Sequence, residues 1–201
     1  MPDSSEIFER AIAEHIKVIQ ALHLQQPLLE RIASAMSCAI LNGKKILWCG
    51  NGGSAAEAEH LAAELVGRFK LERRGLASIA LTANTSVITA ISNDYGFEDI
   101  FRRQVEALCV PGDVVVGIST SGNSRNVCAA LEAARGIGAY TVAFMGQHGG
   151  AIAGIAHETL HIASAETARI QEGHIFCGHM LCDYIEKSVH ESDRAAEANS
   201  Q

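Results

Sequence analysis

The sequence predicts an α/β fold: a doubly wound, mainly parallel five-stranded sheet with an N-terminal helical hairpin. Three observations predict it. From residue 45 onward, short apolar runs without polar alternation indicate strands that are buried on both faces of a sheet. Helical patterns with apolar residues at 3.6-residue spacing separate these runs, and glycine-bearing loops follow the strands. Strands that alternate with helices in this way favour a parallel sheet covered by helices on both faces.

The first 43 residues predict two helices and no strand. The first helix has apolar residues at helical spacing over 7–22, with a cap at or near Ser5. Pro27 opens the second helix, which Gly43 closes. A hairpin of this kind cannot bury its apolar face alone, so we expect it to pack on the main domain or on another subunit. The predicted parts are an oligomerisation arm (1–43), an α/β domain (44–190) and a frayed polar tail (191–201).

The α/β domain is read as five strands and six helical segments. The apolar runs predict strands at 46–49, 78–81, 114–118, 140–144 and 159–162. The helical patterns lie at 55–69, 85–92, 97–108, 124–135, 151–155 and about 168–190. Gly173 and Gly178 are unusual inside the last helix, where each costs about 1 kcal/mol relative to Ala. They either allow close helix packing or put the position of that helix in doubt.

The composition is that of a globular chain with an aliphatic core. Of 201 residues, 48% are apolar, 5% aromatic and 19% charged, which excludes an intrinsically disordered protein. The charged fraction is below the usual value of about 25%, which indicates that additional surface is buried in an oligomer. The net charge of −7 argues against a nucleic-acid partner, because binding to the phosphate backbone requires a basic surface.

The sequence indicates neither a secretory signal nor a membrane span. Residues 1–9 are acidic and lack an apolar stretch, and polar side chains interrupt the longest uncharged segment, 75–93. We therefore expect a cytoplasmic protein without membrane contact. The six cysteines show no CxxC spacing and are expected to be reduced and mainly part of the core.

Two loops at the ends of predicted strands are suited to bind a phosphate group. Residues 49–54 read Cys-Gly-Asn-Gly-Gly-Ser and are followed by a helix, whose first N–H groups and dipole attract anions. The loop is neither a Walker loop nor a GxGxxG dinucleotide loop. Residues 117–124, Gly-Ile-Ser-Thr-Ser-Gly-Asn-Ser, also precede a helix and are rich in hydroxyl and amide side chains. Each loop alone fits an ordinary turn or helix cap, but together they favour a phosphate or phosphosugar site.

Two helices carry side chains suited to acid–base or metal chemistry. His60 and Glu64 lie one turn apart on the first helix of the domain, and Gln171 and His179 lie on the last. Imidazole, carboxylate and amide groups suit zinc or another divalent metal, although spacing alone cannot show that the helices converge. His60 lies about 9 Å along its helix from Ser54, which favours a longer sugar phosphate over a triose. His174, taken alone, is expected to face solvent or to be capped.

Four motifs in order resemble the phosphoheptose isomerases, the sedoheptulose 7-phosphate isomerase branch of the sugar isomerase (SIS) family. They are GNGGSAAEAEHLAAELVGRF (50–69), AISNDYGFEDIF (90–101), GDVVVGISTSGNSRNV (112–127) and ARIQEGHIFCGH (168–179). The resemblance covers nearly the whole chain, including the helical hairpin. It implies the flavodoxin-like SIS fold and the conversion of sedoheptulose 7-phosphate into D-glycero-D-manno-heptose 7-phosphate. That step begins the synthesis of activated heptose for bacterial surface glycans such as lipopolysaccharide.

The resemblance also implies the residues of the site. The implied ligands of one Zn²⁺ per subunit are His60, Glu64, Gln171 and His179. The implied contacts of the phosphorylated seven-carbon sugar are Asn51, Gly52, Gly53, Glu64, Asn93, Asp94, Ser119, Thr120, Ser121, Ser124 and Gln171, with Arg68 nearby. The family implies a homotetramer with sites built from more than one subunit. His174 lies close to the ligand motif in the sequence, so whether it competes as a ligand stays open.

The expected mechanism is aldose–ketose isomerisation through an enediol(ate). Glu64 is the expected base, His179 the expected acid, and Asp94 orients hydroxyl groups. Glu64 and His179 cannot easily be tight metal ligands and free proton carriers at once, so either the metal binds loosely or the roles change during turnover.

Three other hypotheses are weighed against the isomerase. The first is a non-catalytic SIS-fold tetramer that binds the bacterial replication initiator; the joint presence of the four implied metal ligands argues against it. The second is a sugar-phosphate sensor, for which no DNA-binding domain is attached. The third is an isomerase of ribulose or arabinose 5-phosphate, whereas the motifs are those of the heptose branch.

Overall fold

The computed structural model describes residues 4–198 and contains one five-stranded parallel sheet. The strands are β1 (Ile46–Gly50), β2 (Ser78–Ala80), β3 (Val114–Ser119), β4 (Tyr140–Gly146) and β5 (Glu158–Ile162). Their spatial order is β2-β1-β3-β4-β5, the flavodoxin-like order of a doubly wound sheet. The predicted fold class is confirmed.

Residues 4–198 contain seven α-helices: two form the N-terminal hairpin and five follow within the α/β domain. They are α1 (Ser4–Ala21), α2 (Gln26–Leu41), α3 (Gly53–Val66), α4 (Thr85–Asp94), α5 (Arg102–Leu108), α6 (Arg125–Ile137) and α7 (Thr167–Ala198). Three short 3₁₀ turns lie at Leu22–Gln25, Phe97–Asp99 and Ala151–Gly154. No helix within residues 4–198 is long and apolar enough to cross a bilayer.

Alternate residues of each central strand pack into two different cores, because successive side chains of a strand point to opposite faces. In β1, Ile46 and Trp48 belong to the core shared with α2, α3 and α7. Leu47 and Cys49 belong to the core shared with α5 and α6. All five residues of β1 are buried, which explains why this strand has an uninterrupted apolar sequence.

The strand order places the two predicted phosphate loops side by side. β1 leads into α3 on one face of the sheet, and β3 leads into α6 on the other face. These two strands are neighbours, with Gly50 paired opposite Ile118 at their carboxyl ends. The loops that follow therefore meet where the chain changes faces, which is where sheets of this type bind ligands.

The hairpin helices both contact α7, but α1 leaves most of its large apolar residues exposed within the protomer. Val18 and, in the turn that follows, Leu22 are buried. Phe8 and Ile12 expose 66% and 61% of their surface, and two further isoleucines of the same helix are also exposed. Both surfaces expected for the hairpin, its own domain and another subunit, therefore stay open: α1 contacts α7, and its exposed residues are available to a partner.

Several helix boundaries differ from the sequence prediction for physical reasons. α3 ends at Val66, before the predicted residue 69, because the Glu186 carboxylate accepts hydrogen bonds from the N–H groups of 69–71 and holds them outside the helix. The predicted helix 97–108 is a 3₁₀ turn followed by α5, and 151–155 is also a 3₁₀ turn.

The last helix is longer than the sequence pattern predicts. α7 continues to Ala198, so residues 191–198, expected to be part of a frayed tail, are helical. An ion pair at 3.2 Å between Arg74 Nε and Asp193 Oδ2 connects this last part to the segment after α3. The remaining predicted tail, 199–201, lies outside the described residues.

Candidate functional site

The loop between β1 and α3 requires its glycines. Gly52 has φ +57°, a left-handed conformation that favours glycine. A Cβ on Gly50 would lie 2.6 Å from the carbonyl oxygen of Ser54, so the strand end and the first turn of the helix approach closely. Asn51, an expected sugar contact, exchanges two amide hydrogen bonds of 2.8 and 2.9 Å with Asn126 at the start of α6. This pair fastens the first loop to the second.

The loop between β3 and α6 gathers hydroxyl groups at a helix N-terminus. The Oγ atoms of Ser119 and Ser124 lie 2.9 Å apart, and Ser121 Oγ lies 3.5 Å from Ser119 Oγ. Ser121 also accepts a hydrogen bond of 3.2 Å from the N–H of Asn123. Thr120, half-buried between them, accepts a backbone bond from Gly146. The loop thus presents hydroxyl groups beside free N–H groups, a combination suited to an anion.

His60, Glu64 and His179 meet between α3 and α7. The Nε2 atoms of the two histidines are 2.8 Å apart, and Glu64 Oε1 lies 3.4 Å from His60 Nε2. One ligand atom from each of the three residues lies within 4.8 Å of the others, as a metal site requires. Two imidazoles and a carboxylate suit Zn²⁺, so the residues present fit the implied metal.

His179 is held in a form that can bind a metal ion or accept a proton. Burial lowers its pKa below the ordinary histidine value, and positive charge on His60 lowers the pKa further, while Glu64 opposes the shift. Its ring stacks on Phe69, with the ring centroids 5.3 Å apart. A lowered pKa keeps the imidazole neutral at neutral pH, and a neutral imidazole has the free lone pair that ligation needs.

The helices that carry these residues approach closely at a glycine. A Cβ on Gly178 of α7 would lie 2.5 Å from Leu61 of α3, and a Cβ on Gly173 would lie 2.8 Å from Ile162. Both glycines therefore allow close packing, and α7 begins within one residue of its predicted start. Leu61 adjoins His60 in the chain and Gly178 adjoins His179, so this contact sets the spacing of the two histidines.

Gln171 lies against the first loop, in a cleft of about 510 Å³. Its side chain occupies the space that a Cβ on Gly53 would need. The cleft is lined by Gly53, Ala56, Glu57, His60, Ala168, Gln171, Glu172 and Ile175. The loop, one of the two histidines and Gln171 therefore face one open space, which is wide enough for a small sugar phosphate.

Of the expected site residues, Gly53, His60 and Gln171 line this cleft; three of those that do not are exposed on the surface of the protomer. Asn93 and Asp94 are exposed at the end of α4, where the Asn93 amide donates a 2.8 Å hydrogen bond to Asp94. Arg68 is exposed and lies 3.9 Å from Glu72. None of the three lines the cleft around Gln171, so their roles in substrate binding stay predictions.

The burial of His174 differs from the sequence prediction, and its neighbour Glu57 was not predicted as a site residue. The ring is fully buried, so the expectation that it faces solvent or is capped is wrong. It does not belong to the group formed by His60, Glu64 and His179. Its nearest charged neighbour is Glu57, 3.8 Å from Nδ1. Sequence reasoning missed Glu57, although its position three residues before His60 places it on the same face of α3.

The cysteines are not candidates for the chemistry of the site. All six are free, and four of them are buried. Burial raises the pKa of Cys49, Cys177 and Cys182 to about 12, so these thiols stay protonated at neutral pH. This agrees with the prediction of reduced cysteines that mainly belong to the core.

Comparison with known proteins places the chain in a family. A family model described as the SIS domain matches residues 8–146. A phosphoheptose isomerase from Aquifex aeolicus is 59% identical over 158 residues, which span 79% of this chain and 83% of that protein. A phosphoheptose isomerase from Geotalea daltonii is 52% identical over 185 residues, spanning 92% of this chain and 96% of that protein. The chain belongs to the phosphoheptose isomerase family.

The solved structures agree with membership in the phosphoheptose isomerase family. A phosphoheptose isomerase from Neisseria gonorrhoeae superposes with a TM-score of 0.87 at 43% identity, over 92% of this chain and all of that one. The family predicted from the four motifs is thus confirmed. The alternative hypothesis, a non-catalytic tetramer that binds the replication initiator, receives no support from these phosphoheptose isomerases.

Proposed function

We propose that the protein is an aldose–ketose isomerase that interconverts sedoheptulose 7-phosphate and D-glycero-D-manno-heptose 7-phosphate. The observation that carries the proposal is the meeting of His60, Glu64 and His179 between α3 and α7 in a chain of the phosphoheptose isomerase family. Two imidazoles and a carboxylate beside an open cleft are groups that can carry out proton transfer between adjacent carbon atoms.

The two loops at the strand ends hold the phosphate in this proposal. The hydroxyl groups of Ser119, Ser121 and Ser124 lie beside the N-terminus of α6, where N–H groups and the helix dipole favour a dianion. The Asn51–Asn126 pair keeps this loop next to the loop that begins α3. A phosphate bound here leaves the rest of an extended sugar free to reach along α3 toward His60.

Glu64 and His179 carry the proton transfers. Glu64 takes the proton from the carbon beside the carbonyl group, which gives the enediol(ate), and the proton is returned to the neighbouring carbon. His179, kept neutral by its lowered pKa, exchanges the proton between the two oxygens. Asp94 orients substrate hydroxyl groups in this scheme.

His60, Glu64 and His179, with Gln171 from the edge of the cleft, would hold one Zn²⁺. When bound there, the ion supplies polarisation of a carbonyl oxygen. Glu64 and His179 are assigned both ligation and proton transfer, and the two roles compete for the same lone pairs. Either loose ligation or a change of roles during turnover resolves that competition.

We also propose a cytoplasmic homotetramer that serves surface-glycan synthesis. The exposed apolar residues of α1 supply an interface, because contiguous apolar patches of this kind mark association surfaces. The free cysteines fit a reducing compartment.

One assay tests the isomerase proposal. Purified protein is loaded with Zn²⁺ and incubated with sedoheptulose 7-phosphate, and the appearance of the aldose phosphate is followed by NMR with and without a chelator. We expect turnover that the chelator lowers and added Zn²⁺ restores. Glu64→Gln and His179→Gln should each lower kcat by at least about 100-fold, the usual size of an acid–base contribution. Absence of turnover by the fully loaded wild-type protein contradicts the proposal.

A further inference from the structure

Glu57 of α3 and His174 of α7 form a buried polar pair outside the proposed zinc and phosphate sites. Glu57 exposes 8% of its surface and His174 none. The atoms Glu57 Oε2 and His174 Nδ1 lie 3.8 Å apart. The two side chains are therefore neighbours, but the distance is too long for a hydrogen bond. Among the described residues, neither carboxylate oxygen and neither ring nitrogen has a hydrogen-bond partner.

A second buried glutamate, Glu186, shows that this fold can supply hydrogen-bond donors to a buried carboxylate. Glu186 is fully buried, and its carboxylate accepts hydrogen bonds of 2.7–2.9 Å from the N–H groups of 69–71. It also pairs with Arg73 at 3.1 Å. A buried carboxylate left without donors destabilises the folded protein, so Glu57 lowers stability where Glu186 raises it. Buried polar groups that lower the stability of the folded protein in this way are typical of functional sites.

Glu57 is one of the residues that line the proposed substrate cleft, although its two carboxylate oxygens are shielded from solvent. Glu57 lines the cleft together with Gly53, His60 and Gln171. It lies three residues before His60 and seven before Glu64, and so faces the same side of α3 as both. His174 lies behind Glu57, away from solvent, where its ring contacts Phe144 with the centroids 5.7 Å apart.

We propose that Glu57 binds a hydroxyl group of the sugar chain and that His174, 3.8 Å from Glu57 Oε2, is the positioning residue that limits the movement of the carboxylate. A carboxylate only accepts hydrogen bonds, so its ligand must donate one, as a sugar hydroxyl does. It repels the phosphate group, which therefore belongs at the loop between β3 and α6, called here the serine loop, with Ser119, Ser121 and Ser124. Glu57 and His174 therefore make the part of the cleft beside Glu57 specific for a sugar chain that carries hydroxyl groups. This inference rests on the proposed function, because that function supplies the sugar.

The test compares three variants in the zinc-loaded enzyme with sedoheptulose 7-phosphate. Glu57→Met keeps the side-chain length and removes both acceptors, so KM should rise about tenfold or more. Glu57→Gln keeps one acceptor, so its KM should lie between those of Glu57→Met and wild type. His174→Gln should raise KM less than Glu57→Met. The double variant Glu57→Met/His174→Gln should have the same KM as Glu57→Met alone, because the two residues act as one unit.

Three controls separate binding from folding and from the metal. Zinc content and inhibition by inorganic phosphate should equal those of wild type in Glu57→Met. The melting temperature of Glu57→Met should stay the same or rise, because two buried oxygens without hydrogen-bond partners are removed, whereas Glu186→Gln should lower the melting temperature. The inference is overturned if KM is unchanged, if zinc is lost, if phosphate inhibition weakens, or if the melting temperature falls as in Glu186→Gln.

The wild-type assay distinguishes this inference from the proposed function. If wild-type protein turns over sedoheptulose 7-phosphate and Glu57→Met does so with the same KM, only the role of Glu57 and His174 is refuted. If the zinc-loaded wild-type protein shows no turnover, the proposed function is refuted and this inference with it.

Discussion

Gly53 and Gln171, 118 positions apart in the chain, are in direct contact across the mouth of the cleft. Gly53 is the first residue of α3, and the amide of Gln171 lies where a Cβ would be. Because Gly53 has an ordinary negative φ, no backbone strain is involved and glycine is required only for space. The loop after β1 and the start of α7 therefore fit together as one surface.

Gly53→Ala should displace Gln171 and lower kcat/KM by about 100-fold, the usual effect of misplacing a site group by about 1 Å. The fold should persist, because the displaced side chain can move into the open cleft. Gly136→Ala is the matched control, since a Cβ at Gly136 meets nothing within 4 Å and should raise helix stability slightly. Steady-state kinetics and thermal unfolding measure both effects. Wild-type kinetics in Gly53→Ala would exclude Gln171 from the site.

The serine loop should determine phosphate affinity. Ser119→Ala and Ser121→Ala each remove a hydroxyl group beside the N-terminus of α6, and each should weaken binding of inorganic phosphate about tenfold. Ser188→Ala is the control, because this hydroxyl donates to a backbone carbonyl in α7, away from the loop. Competitive inhibition of the isomerase reaction by phosphate gives the constants. Unchanged inhibition constants in both loop variants would refute the assignment.

The sequence predicts the sheet well because the three central strands are buried on both faces and therefore have nearly uninterrupted apolar sequences. It could not show that α3 and α7 converge, since helical spacing places His60 and Glu64 on one face without fixing what faces them. Their meeting with His179 follows from a tertiary contact between Leu61 and Gly178. The family resemblance, rather than any local pattern, predicted that convergence.

The boundaries and residues that sequence reasoning missed depend on long-range contacts. The early end of α3 follows from hydrogen bonds to Glu186, more than 100 positions away in the chain. Glu57 gives no local signal of burial, because it lies in an Ala- and Glu-rich helix where glutamate is usually exposed. The end of α7 was placed too early because its polar sequence resembles a tail.

Gly178→Ala should push α3 and α7 apart and separate His60 from His179. Overpacking at Leu61 should cost about 1–3 kcal/mol of unfolding free energy and weaken zinc binding. Leu61→Ala in the same chain makes room for the added methyl group, so the double variant should recover part of the zinc affinity. Urea unfolding and a zinc-competition titration measure the two effects. Zinc affinity equal to wild type in Gly178→Ala would show that the contact does not set the histidine spacing.

Glu186→Gln should lower the unfolding free energy by about 3 kcal/mol at pH 7, because it leaves Arg73 buried without its partner charge. Burial opposes ionisation of Glu186, but the N–H groups of residues 69–71 and the charge of Arg73 outweigh burial and lower its pKa. A carboxylate with a lowered pKa stabilises the fold fully above its unfolded pKa of about 4.3 and loses that effect as pH falls through the folded pKa.

The difference between wild type and Glu186→Gln should therefore be constant from pH 7 to about pH 5 and shrink below about pH 4. Urea unfolding at several pH values measures it. Glu158→Gln is the control, since the Glu158 partner Arg31 is 57% exposed and such a pair contributes about 0–1 kcal/mol. A difference that grows on acidification would contradict the assigned direction of the Glu186 pKa.

Ile12→Glu should dissociate the assembly without unfolding the protomer. Ile12 is 61% exposed on α1, so a charge there costs the isolated chain less than about 0.5 kcal/mol but is costly inside an apolar interface. Light scattering after size-exclusion chromatography should show wild type as a tetramer and Ile12→Glu as a smaller species with an unchanged circular dichroism spectrum. Glu9→Gln, on the same exposed helix, should remain a tetramer. A tetrameric Ile12→Glu variant would place the interface on another surface, and a monomeric wild type would refute the proposed assembly.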